Sequence, residues 1–394
     1  MMVSSVGAGD VAAGEAPHLS TDRNGHRPRV LVVGAGVVGL SVAWRAAAAG
    51  LPVTVVDPAP ARAASRVAGG MLAPVCEAWP GEEPVLELGL ASLARWPDFA
   101  TQLAVASDTE LPLCTAGTVA VAVDHADAQV LRELADYLAG QGVAATPMTG
   151  RQLRQLEPSL GPNVRSGLFA PGDLSVDNEI LMNALHAACV RSGVDFHDGT
   201  VCEVRPGGAL LDDGSALDAG TVVICAGAWS GQLYPALRGL IRPVKGEILR
   251  MRTRRGALPP PTRTVRALVE GRPLYAVPRP WGLVLGATQY EAGFDADVTV
   301  GGVRDLLRDS ELVLPGLAEY ALEECSVGFR AGSPDNLPLI GELEPGVLVA
   351  AGHHRNGLLL APITADAVLA LLRGQAPPEP VRPADPARAT VPAG

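Results

Sequence analysis

The 394-residue chain is long enough for two domains, and its 48% apolar content supplies a large core, which excludes wholesale disorder. A formal net charge of −11 argues against nucleic acid as a main partner, although one local arginine can still hold an acidic substrate. Six scattered cysteines without C-x-x-C spacing suit reduced thiols in a cytoplasmic protein, and no Cys/His cluster has the spacing of a metal site.

Residues 1–28 contain Asp, Glu and Gly but no continuous apolar run, so they read as a disordered tail and not as a signal peptide. The apolar stretch 30–44 is too short and too glycine-rich to span a bilayer. "RVLVVGAGVVGLSVAWRAAAAGLPVTVVD" (29–57) predicts a strand, a glycine turn, a helix stopped by Gly50, and a second strand ending in Asp57. A right-handed crossover is expected between the strands. Further on, 85–105 predicts one helix, 115–123 a strand and 124–141 a helix. Asp177 is placed to cap a helix reaching Ser192. Residues 198–226 predict hairpins, and "TVVICAGAWSG" (221–231) a buried strand broken by glycine. Residues 241–300 are strand-rich around the loop "RRGALPPPTR", and 301–323 read as helix. A last strand is expected at 346–352, a last helix at 362–373, and a disordered tail at 375–394.

This order predicts an α/β protein with a discontinuous Rossmann-like domain and an antiparallel-sheet substrate domain. The expected dinucleotide-binding parts are 29–95, 160–238 and 326–374, and the substrate parts 96–159 and 239–325. Gly34 makes the strand-to-helix turn, Gly36 lets backbone approach a pyrophosphate, and Gly39 lets the helix pack on the strand. The helix N-terminus offers free N–H groups to an anion. Asp57, 18 residues after Gly39, can accept from ribose hydroxyls. The fingerprint by itself does not choose between NAD and FAD. Further glycine turns at "SRVAGGMLAP" (65–74) and "ICAGAWSG" (224–231), the latter containing Gly227, favour FAD, because a long rigid flavin needs backbone support along its length.

Several segments then carry a resemblance: "VVGAGVVGLSVAWRAAAAG", "AGGMLAPVCE", "CAGAWSG", "RPVKGEIL", "YAVPR", "LVLGAT", "GFRAGSPDNLPLIG" and "AAGHHRNGLLLAP". From about Arg29 to Gly374 the chain resembles the D-amino-acid oxidase superfamily of FAD-dependent amine oxidases, and within it the glycine oxidases of thiamine biosynthesis. The resemblance implies oxidation of a small amino acid by molecular oxygen, and a cytoplasmic homotetramer. It implies that Val37 and Val38 lie in the pyrophosphate turn, Asp57 and Pro58 at the adenosine ribose, and Val201 at the adenine end. Ala64, Ser65, Gly69, Gly70 and Met71 match segments leading to the isoalloxazine. His353, His354, Arg355, Asn356, Gly357, Leu358 and Leu359 match a loop over the flavin ring. Arg330 matches the residue that pairs with the substrate carboxylate, Tyr275 a pocket tyrosine, and Arg355 a second pocket arginine. Gln289 departs from the family, standing where some glycine oxidases carry an apolar residue. Gly328, not Cys325, matches the cysteine that links flavin covalently in some sarcosine oxidases, so FAD is expected to be non-covalent.

The chemistry agrees with these types. An arginine grips a carboxylate through two parallel bonds and so fixes the direction of the Cα–H bond. No catalytic base is needed if the amine arrives unprotonated, and no metal is expected. Alternatives within the chemistry are a sarcosine oxidase or a D-amino-acid dehydrogenase; outside it, a non-catalytic FAD-binding subunit. Plainer roles compete residue by residue. Arg330 could be a surface ion-pair partner, Tyr275 a core-edge tyrosine and Arg355 a clamp for the loop. Lys245 and Glu247 read as an exposed or strand-edge pair, and Trp44 and Trp229 as core.

Overall fold

The computed structural model describes residues 29–59 and 64–389; the tail expected at 1–28 lies outside the described residues. A six-stranded sheet has the order Leu339–Glu344, Val347–Ala351, Thr221–Ile224, Val30–Val33, Val53–Val56, Asp195–His197. Val30–Val33 runs parallel to both neighbours, and only the Leu339–Glu344 edge is antiparallel. Strands buried on both faces need apolar side chains at every position, which is why VLVV and VTVV show no alternation. Val30, Val32, Val53 and Val55 meet the helices Val37–Ala48, Trp96–Ser107, Asn178–Arg191 and Ala361–Leu372. Leu31, Val33 and Val56 point the other way, toward Val201, Leu211 and Leu237.

An eight-stranded sheet has the order Ala321–Gly332, Arg242–Arg252, Gly282–Gly286, Arg272–Arg279, Thr264–Val269, Thr118–Ala122, Ser166–Ala170, Thr146–Thr149. All its pairs are antiparallel except Thr264–Val269 with Thr118–Ala122. Side chains alternate across a strand. Leu249, Met251, Val265, Leu274, Ala276 and Leu285 therefore form a core on one face, closed by helix Val300–Val313. The partners in register on the opposite face are Gly328 with Gly246, Ile248 with Gly286, Gly286 with Tyr275, and Tyr275 with Arg266. This second face looks toward the six-stranded sheet and builds one end of the cavity described below.

Several expectations need correction. The single helix expected over 85–105 is two, Glu83–Leu93 and Trp96–Ser107, with Pro97 at the start of the second. Proline lacks an N–H and is tolerated only in a first helical turn. Trp96, Phe99 and Leu103 pack into the core of the six-stranded sheet, so this segment does not belong with the substrate parts. Ser166–Ala170 and the first residues of 326–374 go the other way, into the eight-stranded sheet, because their pairing partners lie there. The helix expected over 301–323 stops at Val313, before Pro315, and Ala321 already begins a strand.

Residues 375–389 are not a disordered tail. Glu379–Ala384 and Pro386–Arg388 form 3-10 turns, Val381 and Ala384 are buried in the core, and Arg388 donates to the Leu337 carbonyl at 2.7 Å. Proline-fixed φ angles lower the entropy lost on docking such a segment. Lys245 and Glu247 are not exposed either, at 1% and 0% side-chain exposure. Lys245 Nζ lies 2.7 Å from Asp295 Oδ2 and donates to the Asp297 carbonyl at 2.6 Å. Glu247 accepts from the Thr299 N–H at 2.7 Å, against the N-terminus of helix Val300–Val313, where a carboxylate is favoured. Trp44 is core, but Trp229 is 41% exposed and lines the cavity. Among the described residues no helix is long and apolar enough to cross a membrane.

Candidate functional site

A cavity of about 670 Å³ runs from the carboxyl end of strand Val30–Val33 to the polar-tipped face of the eight-stranded sheet. Open α/β sheets place ligands at such strand ends, where neighbouring connections diverge. Gly34 has φ +109°, and a Cβ there would sit 2.5 Å from the Cys225 carbonyl oxygen. Gly36 caps helix Val37–Ala48 with no side chain of its own and no acidic residue in the first turn, so the helix itself supplies no charge to offset its positive end. Gly34, Gly36, Val37 and Val38 line the cavity, and Gly39 does not. A Cβ on Gly39 would run into the Gly34 carbonyl, so its task is helix-to-strand packing. The Val37 N–H donates to Ser65 Oγ at 3.0 Å. Asp57 accepts from the N–H groups of Ala35 (2.7 Å) and Ala59 (2.8 Å), and with Pro58 and Val201 it lines the same end.

Ala64, Ser65, Gly69, Gly70 and Met71 line the middle of the cavity, with Gly227 opposite. Buried side chains hold this segment. Arg279 Nη2 donates to the Gly69 carbonyl at 2.9 Å, and Asn178 Nδ2 donates to the carbonyls of Ser65 (3.0 Å) and Arg66 (2.8 Å). Arg250 Nη2 donates to the Arg66 carbonyl at 2.7 Å.

From the C-terminal loop, His353, His354, Arg355, Gly357 and Leu358 line the cavity, whereas Asn356 and Leu359 face away. The Leu359 carbonyl accepts from Ser92 Oγ (2.6 Å) and Trp96 Nε1 (2.9 Å), which ties the loop to the core. His353 Nε2 bonds to Thr364 Oγ1 at 3.0 Å. Burial pushes the pKa of each of His353 and His354 down to about 3, so both rings stay neutral. Among the described residues no acid or sulfur groups with them as a metal site. Arg355 Nη2 lies 3.3 Å from Glu82 Oε2. His354 Nδ1 and Arg355 Nε are buried without a protein partner. Buried polar atoms are normally paired, so these two await a ligand. The positive helix end, the glycine cradle, these orphaned atoms and the unbroken length of the cavity fit FAD.

At the far end two polar tips converge. Arg330 stands on the strand Ala321–Gly332 but leans over its neighbour: a Cβ on Gly246 would sit 2.7 Å from Arg330 Cζ. Tyr275 stands on Arg272–Arg279 and leans over Gly282–Gly286: a Cβ on Gly286 would sit 2.5 Å from Tyr275 Oη. The two strands beneath the tips are adjacent, and paired strands lie about 4.8 Å apart. Arg330 is therefore not a surface ion-pair partner. Its Nη1 donates to the Thr288 carbonyl at 3.2 Å, and no carboxylate pairs with it among the described residues. Burial works against its charge, and burial also pushes the Tyr275 hydroxyl up, leaving a neutral donor beside a cation. Gln289 lines the same end.

Gly246→Val should displace the guanidinium while the strand persists, since valine suits strands. The expected result is a folded protein that binds a carboxylate ligand such as acetate at least tenfold more weakly in titrations. Unchanged affinity would show that the guanidinium does not need this floor.

Sequence reasoning missed Gly246 as pocket floor, Gly286 as the seat of Tyr275, Glu77 and Arg266 as charged walls, and Trp79 and Trp229 at the rim. One signal was available: single glycines inside strand patterns mark places where another group approaches closely.

The family described as "DAO: FAD dependent oxidoreductase" matches residues 29–371. The glycine oxidase of Geobacillus kaustophilus is 31% identical over 351 residues, covering 86% of this chain and 91% of that protein. A putative thiamine biosynthesis oxidoreductase ThiO of Rhizobium etli is 33% identical, covering 89% and 98%. A bifunctional protein ThiO/ThiG of a Nostoc species is 30% identical over 87% of this chain, which spans only about half, 52%, of that relative's length. The crystal structure of the Geobacillus kaustophilus glycine oxidase superposes with a TM-score of 0.84 at 29% identity, covering 92% of this chain and all of that one.

Proposed function

This chain belongs to the DAO family of FAD-dependent oxidoreductases, and from that premise we propose that it oxidises glycine, with sarcosine and D-alanine as further substrates, in the thiazole branch of thiamine biosynthesis. The observation that carries the reading is the unpaired Arg330 guanidinium meeting the Tyr275 hydroxyl over a glycine floor. The relatives named glycine oxidase and ThiO support the substrate and the pathway.

Bound FAD would supply the acceptor for the Cα hydrogen and its electron pair, with oxygen as the final electron acceptor. Glycine, water and oxygen thereby give glyoxylate, ammonia and hydrogen peroxide. The helix end at Gly36–Val38, Asp57 and Val201 would hold the adenosine and pyrophosphate, and residues 64–71 with 353–358 would hold the ring. Gly328 lies on the cavity face of its strand, whereas Cys325 pairs with Leu249 on the opposite face, which supports non-covalent attachment.

Arg330 accepts the substrate carboxylate into its free fork and so sets which way Cα–H points. Tyr275 adds a neutral hydrogen bond and closes the pocket above Gly286. The neutral histidines of the loop leave no added cation near the ring. The amine enters the chemical step unprotonated, so no side chain serves as a base.

Anaerobic mixing of the yellow holoenzyme with glycine, sarcosine, D-alanine and D-proline tests the proposal. Glycine should bleach the flavin band fastest, and admitted oxygen should return one peroxide per turnover. A band that no substrate bleaches would mark an FAD-binding subunit without this activity.

A further inference from the structure

We propose that Glu77, held by Arg266, binds the amino group of the substrate, so that the pocket reads the amino acid at both ends. This deepens the amino-acid oxidase reading and rests on it. Two carboxylates line the cavity among the described residues. Asp57 stands at the far end, engaged by the N–H groups of Ala35 and Ala59. Glu77 alone belongs to the end that holds Arg330 and Tyr275, and its charge acts on both of them.

Its position follows from sheet register. Arg330, Tyr275 and Arg266 share one face, on the first, fourth and fifth strands of the eight-stranded sheet. Arg266 is the cross-strand partner of Tyr275, on the side away from Arg330. Its Nη1 donates to the Cys76 carbonyl, and its Nε lies 3.7 Å from Glu77 Oε1. Both side chains are 12% exposed. Glu77 therefore hangs from the loop after Met71, beyond the tyrosine tip, opposite the guanidinium. A substrate whose carboxylate is gripped by Arg330 directs its other end that way.

Arg266 also moderates this carboxylate. An isolated carboxylate beside the amine would favour its ammonium form, which cannot release a hydride, and the guanidinium 3.7 Å from Glu77 offsets the carboxylate charge. Cys76 and the backbone N–H groups anchored on buried Asp173 (3.2 and 3.3 Å) keep this loop in place from below.

The test compares glycine with glycolate, which keeps the carboxylate and replaces the amine with a hydroxyl. The dissociation constant of glycine comes from the concentration dependence of anaerobic bleaching, or from the flavin spectral shift if no bleaching occurs; that of glycolate comes from the spectral shift. The unmodified holoenzyme should bind glycine at least tenfold more tightly than glycolate. Glu77→Gln should weaken glycine about tenfold and leave glycolate within twofold, and Glu77→Asp should recover most of the discrimination. Equal weakening of both ligands would mean that Glu77 only supports the loop, and no weakening of either would mean that it does not meet the substrate. Both results overturn the proposal, as does a parent enzyme without preference for glycine. Arg330→Met separates the underlying reading, since it should weaken both ligands together. If it weakens neither, the carboxylate assignment fails while the Glu77 ratio still stands or falls by itself.

Discussion

Arg330→Met should lower kcat/KM for glycine by about two to four orders of magnitude while the protein folds and retains FAD. Two charge-assisted hydrogen bonds, each contributing roughly 1.5–3 kcal/mol, are lost together, and about 1.4 kcal/mol corresponds to a factor of ten. Among the described residues the guanidinium has no carboxylate partner, so the substitution removes no ion pair there. It removes a buried charge instead, and thermal stability should hold or rise. Arg330→Lys should recover only part of the loss, because an ammonium offers a point charge and not a fork. Steady-state kinetics beside a melting curve check both halves. An Arg330→Met enzyme of unchanged efficiency would refute the assignment.

Lys245→Met should lower stability by about 3–5 kcal/mol, because it removes the buried cation that stands between Asp295 and Glu247. Glu247 is fully buried, with Lys245 Nζ 4.0 Å away. The damage should reach the site by a short path. Glu247 holds Thr288 through the Thr288 hydroxyl at 3.3 Å, and the Thr288 carbonyl receives Arg330. A higher KM should therefore accompany the lower urea midpoint. The double variant Lys245→Met with Glu247→Gln should recover part of the stability, since it removes both charges. If the single variant unfolds at the parental urea concentration, the pair contributes nothing and the loop 288–299 is held by other contacts.

The sequence made the nucleotide end legible for a local reason. Gly34, Gly36, Gly39 and Asp57 act through backbone conformation, close approach and a helix end, all set within one βαβ unit. The same holds for the Asp177 cap on helix Asn178–Arg191. Arg330, Tyr275, Gln289 and Arg355 came from resemblance to a family, and composition or periodicity would not have picked them out.

What only the tertiary structure decided has one cause. Strand face depends on register, and a shift of one residue sends a side chain to the opposite side of a sheet. Gly246 and Gly328 meet across 82 residues of chain, so no local pattern announces that they form a pocket floor. Lys245, one position from Gly246, is driven into the opposite core by the same pleat and becomes a buried cation. Glu77 and Arg266 face each other only because the loop after Met71 folds over Thr264–Val269. The tail after 374 is polar and proline-rich, yet it orders because the core leaves room for Val381 and Ala384. Turns, caps and the anion-binding helix end were thus set by residues a few positions apart. The charges that line the far end of the cavity were placed by pairings between distant strands.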